Sequence, residues 1–337
     1  MWGETLSFGT KERVSPTKDI SMPEFNHIPV LLPQVLEMLA PQPGMRYLDV
    51  TLGGAGHASA IAQRIAPNGE IVGFDRDPDA QAAASQRLQP FALKTTLIQA
   101  SFIDLDEQLR AHDFDDRTQN GGFDIVLADF GLSSHQIDQI QRGFSFQADA
   151  PLDMRMSQQG ETAAEFLARI SDTELADILY QYSDIRQSRA LARKICDHAR
   201  NGNVRTTTQL ADLCCGILGY PRPGHPHPAT RVFQAIRIAV NDEFGAIDAF
   251  LRDIPKWIKP GGRLAVISFH SGEDRRVKDA MHQWQFPCIC PPKLPVCVCH
   301  RVPLGRVIQK KAIEATPEEL QANSRARSAK LRGFVFD

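Results

Sequence analysis

The chain has 337 residues, of which 42% are hydrophobic and 23% charged. That is the composition of a folded globular protein of about two domains, and it excludes disordered, collagen-like and coiled-coil classes. Lys and Arg number 38 against 40 Asp and Glu, so a formal net charge of −2 gives no whole-molecule attraction to nucleic acid or anionic membrane, and any such partner must be met by a local patch. No apolar run approaches the ~18 residues of a membrane span, and seven cysteines, too few and too unevenly placed for a disulfide scaffold, suit a cytoplasmic, reducing setting.

Residues 1–26 mix Lys11, Glu12, Arg13, Pro16, Lys18 and Pro23 without periodicity and are expected to be a disordered extension, with Met22 an alternative start. From His27 onward, helix and strand signals alternate. A short helix over Leu31–Leu39 precedes a strand at Arg46–Val50 and the glycine turn Gly53-Gly54-Ala55-Gly56. Helix Ala58–Ile65, strand Glu70–Phe74, helix Asp79–Leu88, strand Thr96–Gln99, helix Phe102–Leu109 and the apolar strand Phe123–Ala128 follow. Such alternation predicts a parallel sheet covered on both faces. The next good strand, Arg263–Ser268, comes more than a hundred residues later, whereas a βαβ unit needs only ~30. The surplus reads as a helical insertion, with apolar i, i+3, i+4 spacing over Thr162–Arg169, Asp172–Tyr180, Arg186–Arg200 and Thr207–Leu218. The Pro-rich run Pro221–Pro228 closes it, and one long helix, Ala229–Leu251, is expected to re-enter the sheet. The predicted division is 1–26 extension, 27–135 first sheet part, 136–226 inserted helical domain and 227–337 second sheet part.

In open α/β sheets, ligands sit beyond the carboxyl ends of the strands, and the unusual residues fall there. Gly53, Gly54 and Gly56 let backbone approach a ligand, and the helix start that follows favours negative charge. Asp75, just after the second strand, stands where an acid would hold two ribose hydroxyls, and Phe102 stands where it could cover an adenine. An adenosine-containing cofactor fits this set; the alternative is a tight turn with Asp75 as a helix cap. The run departs from G-x-G-x-x-G at Ser59, and His57 crowds the space of a pyrophosphate. Both features favour S-adenosylmethionine over a dinucleotide.

The segments Asn26–Leu32, Leu48–His57, Gly73–Pro78, Asp129–Ser134, Arg142–Phe146, Pro151–Met156, His227–Arg237, Ser268–Ser271 and Asn323–Arg332, in this order, resemble the bacterial ribosomal RNA small subunit methyltransferase H family from His27 onward. The resemblance implies an α/β fold: a class I S-adenosylmethionine-dependent methyltransferase (Rossmann-like) sheet with an inserted all-helical domain. It implies transfer of a methyl group to N4 of a cytidine in the decoding region of 16S rRNA, on naked RNA or the assembling 30S subunit. It carries cofactor contacts onto Ala55, Gly56, His57, Asp75, Phe102, Asp129 and Gln136. Departures are Gly-Gly-Ala-Gly-His in the turn for Gly-x-Gly-Gly-His, Phe130 for Leu, His135 for Pro and Gly272 for Leu.

The cytosine amine is a poor nucleophile, so its site must accept hydrogen bonds from the amine and let a proton leave. Asp129 is placed for that role or for the cofactor alone. His270 and Ser271, after the fifth strand, are candidates for the target base or for capping a helix. Methylation at C5 would need a thiol near the fourth strand end, and Pro287-Cys288 lies far from it in sequence.

Basic stretches at Arg186–Arg205 and Arg301–Arg332 are candidate phosphate contacts or solvated faces. Phe144 and Phe146 are candidates for stacking on bases or for anchoring the insertion. Cys288, Cys290, Cys297 and Cys299 offer four thiolates, but C-x-C is tighter than the usual zinc spacing, and no metal is expected. Membrane association is not expected, and a homodimer is left open. The competing readings are a non-catalytic ribosome assembly factor and an NAD-dependent oxidoreductase.

Overall fold

The computed structural model describes residues 29–119, 121–131, 139–157, 159–291 and 296–337. The N-terminal extension, the Met22 start, Gln136 and the 135/136 boundary lie outside the described residues.

Strands β1 (Arg46–Asp49), β2 (Glu70–Phe74), β3 (Lys94–Ile98), β4 (Phe123–Asp129) and β5 (Ile258–Ser268) are parallel in the spatial order β3-β2-β1-β4-β5. After β5 the chain adds β6 (Gly305–Val307), β7 (Ile313–Glu314) and β8 (Lys330–Phe336). The last of these lies antiparallel between β5 and β6. The parallel half has the strand order of a Rossmann-like sheet. Ile71, Val72, Ile125, Val126, Leu264 and Val266 are fully buried because helices cover both faces. The covering helices before β4 are α1 (Leu32–Leu39), α2 (Gly56–Ile65), α3 (Pro78–Leu88) and α4 (Leu105–Ala111). The start of α3 shows its cause in sequence: the Asp77 side chain accepts the Asp79 N–H at 3.1 Å, and Pro78 occupies the first turn, where no donor is needed.

The surplus between β4 and β5 forms α5 (Ala163–Arg169), α6 (Asp172–Ser183), α7 (Ser188–Arg200), α8 (Thr207–Leu218), α9 (Ala229–Val240) and α10 (Glu243–Asp253). Capping boxes at Thr162, Ser171 and Thr206 start α5, α6 and α8, each satisfying two otherwise orphaned backbone donors. Helices α5 to α9 share one apolar core with Leu152 and Met154. After β5 come α11 (Ser271–Gln285) and α12 (Pro317–Ala322).

One expectation is corrected. The long helix is two helices: Asp242 adopts a left-handed backbone (φ 46°), so α9 packs into the helical core while α10 returns to the sheet with Phe244, Ile247 and Phe250. The end of the basic stretch is a strand, while Arg301, Arg306, Lys310, Lys311 and Arg327 are exposed. Leu331 is buried on one face of β8 and Phe334 and Phe336 on the other, and Arg332 makes a paired contact with Asp274 at 2.6 and 3.1 Å. Gly333 is needed there, since a Cβ would lie 2.3 Å from the sulfur of Met38.

Arg142 fastens the helical part to the sheet. It is 9% exposed, donates to the carbonyls of Arg155 and Met156 at 2.9 Å each, and lies 3.3 Å from the Asp77 carboxylate. Removing one member of a buried charge pair leaves the other without compensation. Arg142→Ala is therefore expected to cost about 3 kcal/mol, read as a lowered denaturant midpoint. A loss below about 0.5 kcal/mol would show that the contact does not fasten the two parts.

Candidate active site

A cavity of about 530 Å³ opens beyond the carboxyl ends of the parallel strands. Its floor is the turn after β1, Asp75 and Arg76 after β2, Phe102 after β3, Asp129 to Gly131 at the end of β4, and Phe269 and His270 after β5. The parallel register brings these ends together: Asp49 is level with Gly73 and Leu127, and Asp129 with Ile267.

The turn is held by Asp75. One of its carboxylate oxygens accepts the Gly53 N–H at 2.8 Å, and the other accepts the Asp77 N–H at 2.9 Å. Burial pushes this carboxyl above its ordinary value, partly offset by those two amides. Gly53 is left-handed (φ 50°), and so is Ala55 (φ 57°), a conformation costing an L side chain about 1–2 kcal/mol. A Cβ on Gly56 would come within 2.8 Å of the Pro29 side chain, so the turn has no room for a larger residue there. Phe102 lies 5.6 Å from Phe130 and 6.0 Å from Phe250, ring centre to ring centre, at the cavity edge.

His57 faces inward. Its Nε2 is 2.9 Å from the Val30 carbonyl, and its Nδ1 is 3.8 Å from an Asp129 carboxylate oxygen. The Asp129 N–H donates to the Thr51 hydroxyl at 2.7 Å, and the Thr51 N–H donates to Asp49 at 3.1 Å. The Tyr47 hydroxyl donates to Asp49 at 2.6 Å. Burial pushes the Asp49 carboxyl up to about 6 despite those bonds. The other Asp129 oxygen, Oδ1, is buried and accepts no hydrogen bond among the described residues. Burial, with the charges of Asp49 and Glu273 adding to it, pushes the Asp129 carboxyl well above its ordinary value.

His270 and Ser271 are placed differently from Asp129. His270 caps α11: its Nδ1 accepts the Glu273 N–H at 3.4 Å, and its Nε2 lies 3.0 Å from the Glu273 carboxylate. That carboxylate also accepts the Phe269 N–H at 2.7 Å. Burial opposes its charge, but these contacts prevail and hold it below the ordinary range. With both ring nitrogens turned to Glu273, His270 is a cap at the cavity wall. Ser271 is exposed and is not among the cavity residues.

Sequence reasoning gave no role to the opposite wall. Thr230, Phe233, Gln234 and Arg237 of α9 face the cavity, a stripe at i, i+3, i+4, i+7 that mixes polar and aromatic groups. Arg237 is fixed by a two-point contact with Glu243 at 2.7 and 2.9 Å. Phe144 and Phe146 also line the cavity, and Phe146 packs on Phe233 and His227 with ring centres 4.8 and 4.6 Å apart. The same aromatic segment thus anchors the insertion and faces the site. In the basic stretch of α7, Arg189, Arg193 and Lys194 are exposed, as is Arg186 just before it, whereas Arg200 pairs with Asp172 at 3.0 Å.

A ribosomal RNA small subunit methyltransferase H of Symbiobacterium thermophilum is 44% identical over 313 residues, covering 92% of this chain and 96% of that protein. The proteins of the same name from Trichlorobacter lovleyi and Nitratidesulfovibrio vulgaris are 45% and 46% identical over 315 and 324 residues. They are covered over 98% and 97% of their lengths, by 92% and 94% of this chain. A family model described as the MraW methylase family matches residues 24–336, and the chain belongs to that family.

Proposed function

We propose that the protein is an S-adenosylmethionine-dependent methyltransferase of small-subunit ribosomal RNA, acting on the exocyclic N4 of a cytidine. The observation that carries this reading is the Asp129 carboxylate, which lines the cavity beside a glycine turn braced by a second acid, Asp75.

The residues present fit the cofactor. Gly53 to Gly56 leave backbone bare, Asp75 presents a carboxylate suited to a ribose diol, and Phe102 presents a flat apolar face. When bound, S-adenosylmethionine supplies a methyl group on a positively charged sulfur, ready for an incoming nucleophile. His57 stands beside the Asp129 carboxylate and Thr51 holds its backbone N–H, so that the carboxylate can accept an N–H of the target amine and orient the nitrogen lone pair. A carboxylate acceptor suits an amine, whose proton must leave as the new bond forms. Chemistry at cytosine C5 would need a thiol, and no cysteine occurs among the described residues lining the cavity.

The wall of Thr230, Phe233, Gln234 and Arg237, with Phe144 and Phe146, would receive the splayed base, and the exposed cations around α7 would meet the phosphates. Such a substrate places the enzyme in the cytoplasm. No described helix is long and apolar enough to cross a membrane. The test is mass spectrometry of digested small-subunit RNA from cells lacking the gene. Loss of one N4-methylcytidine, restored by the wild-type gene, is expected; an unchanged modification pattern refutes the assignment.

A further inference from the structure

We infer that Cys288, Cys290, Cys297 and Cys299 form a closed four-thiolate site for a single zinc ion, separate from the methyltransferase cavity. Their sulfur atoms all lie within 4.8 Å of one another. Four separations are 3.7 Å (Cys288 to Cys297), 3.9 Å (Cys290 to Cys297), 3.5 Å (Cys297 to Cys299) and 3.8 Å (Cys288 to Cys299). A tetrahedral ion with zinc–sulfur bonds of about 2.3 Å requires sulfur–sulfur edges of about 3.8 Å. These four of the six separations lie close to that edge, and all are far from the roughly 2.05 Å of a disulfide.

The C-x-C spacing is compatible with one ion. In extended backbone, residues i and i+2 project to the same side, so each pair presents two thiols in one direction. The two pairs then face each other across a single point. The Val298 N–H lies 3.4 Å from the Cys290 sulfur, the kind of amide contact that steadies a thiolate.

Packing does not explain this convergence. Between α11 and β6, none of the described residues 286–304 is buried. Phe286, Ile289, Val296, Val298 and Val302 are instead 59% to 76% exposed. A segment with no apolar core of its own needs a staple, and a metal is the usual one where disulfides do not persist. Soft thiolates select zinc over hard cations, and four protein ligands leave no open position, so the ion is structural. None of the four cysteines lines the cavity.

The test uses full-length protein purified under reducing conditions without chelator and analysed by elemental mass spectrometry. About one zinc per chain is expected, released when a mercurial blocks the thiols. Protein stripped and reloaded with cobalt(II) should show the intense visible absorption of a tetrahedral tetrathiolate centre. The double variant Cys297→Ser/Cys299→Ser should lose the zinc while binding S-adenosylhomocysteine within about twofold of wild type, since the sites do not touch. Near-zero zinc in the wild type together with no cobalt absorption overturns the site. So does stoichiometric iron in place of zinc, a disulfide among these cysteines in reduced protein, or zinc retained by the double variant.

Discussion

Asp129→Asn is expected to lower kcat for methyl transfer to small subunits by about 10²- to 10⁴-fold, the range a positioned proton acceptor contributes, while leaving S-adenosylhomocysteine affinity within about threefold. The amide keeps the shape but removes the negative charge that would draw the amine N–H. Radiolabelled methyl transfer and calorimetric titration separate the two quantities. A fall in kcat below about tenfold, or a loss of affinity that accounts for the lost rate, would assign Asp129 to the cofactor instead. A pH signature follows as well. Burial, reinforced by Asp49 and Glu273, raises the Asp129 carboxyl well above its ordinary value, and the ionised form is the acceptor. The wild-type rate should therefore fall on the acid side at a pH above the usual carboxylate range. Stability runs the other way. A carboxyl whose folded pKa is raised binds its proton more tightly in the folded state. Stability is thus full below the unfolded value of about 4 and is lost as pH rises to the folded value. Asp129→Asn should be more stable than wild type at pH 8, with the difference vanishing near pH 4.

Asp75→Ala is expected to weaken S-adenosylhomocysteine binding by at least about 100-fold. Two charge-assisted bonds to a ribose diol are worth about 1.5 kcal/mol each at the low end, together about 3 kcal/mol. The loss is compounded because the same carboxylate holds the Gly53 and Asp77 amides, so its removal loosens the turn it would present. Asp75→Asn, which keeps one acceptor, should fall between wild type and Asp75→Ala. Binding by the alanine variant within about tenfold of wild type would mean that the acid only braces the turn.

The parallel half of the sheet was legible because its strands are short apolar runs bounded by glycine and aspartate, a pattern that burial on both faces imposes. Asp75, Phe102 and Asp129 stood out because each closes or follows such a run. The break at Asp242 was not legible. Periodicity continues through Asn241 and Asp242 without proline or glycine, and the turn is set by the need of Phe244 and Phe250 to reach the sheet while Phe233 and Ile236 stay with the insertion. Strand β8 was hidden by its charges. Lys330 and Arg332 read as a basic tail, and only the acid at Asp274, supplied by a helix some sixty residues earlier, lets Arg332 lie against a sheet. The α9 stripe was visible as a motif, but a helix face of Thr, Phe, Gln and Arg shows what it lines only when the opposite wall is known.

The position of β8 also sets the order in which the molecule can be built. Strand β5 has β4 on one flank, separated in sequence by the whole insertion, and β8 on the other, from the last stretch of the chain. No contiguous segment emerging from the ribosome can therefore complete the sheet. The helical core, drawn entirely from residues 152–236, depends on nearby partners and pays little loop-closure entropy. The wall proposed to receive RNA would thus take shape during synthesis, while the cleft for the methyl donor waits for the final strand to slide between β5 and β6.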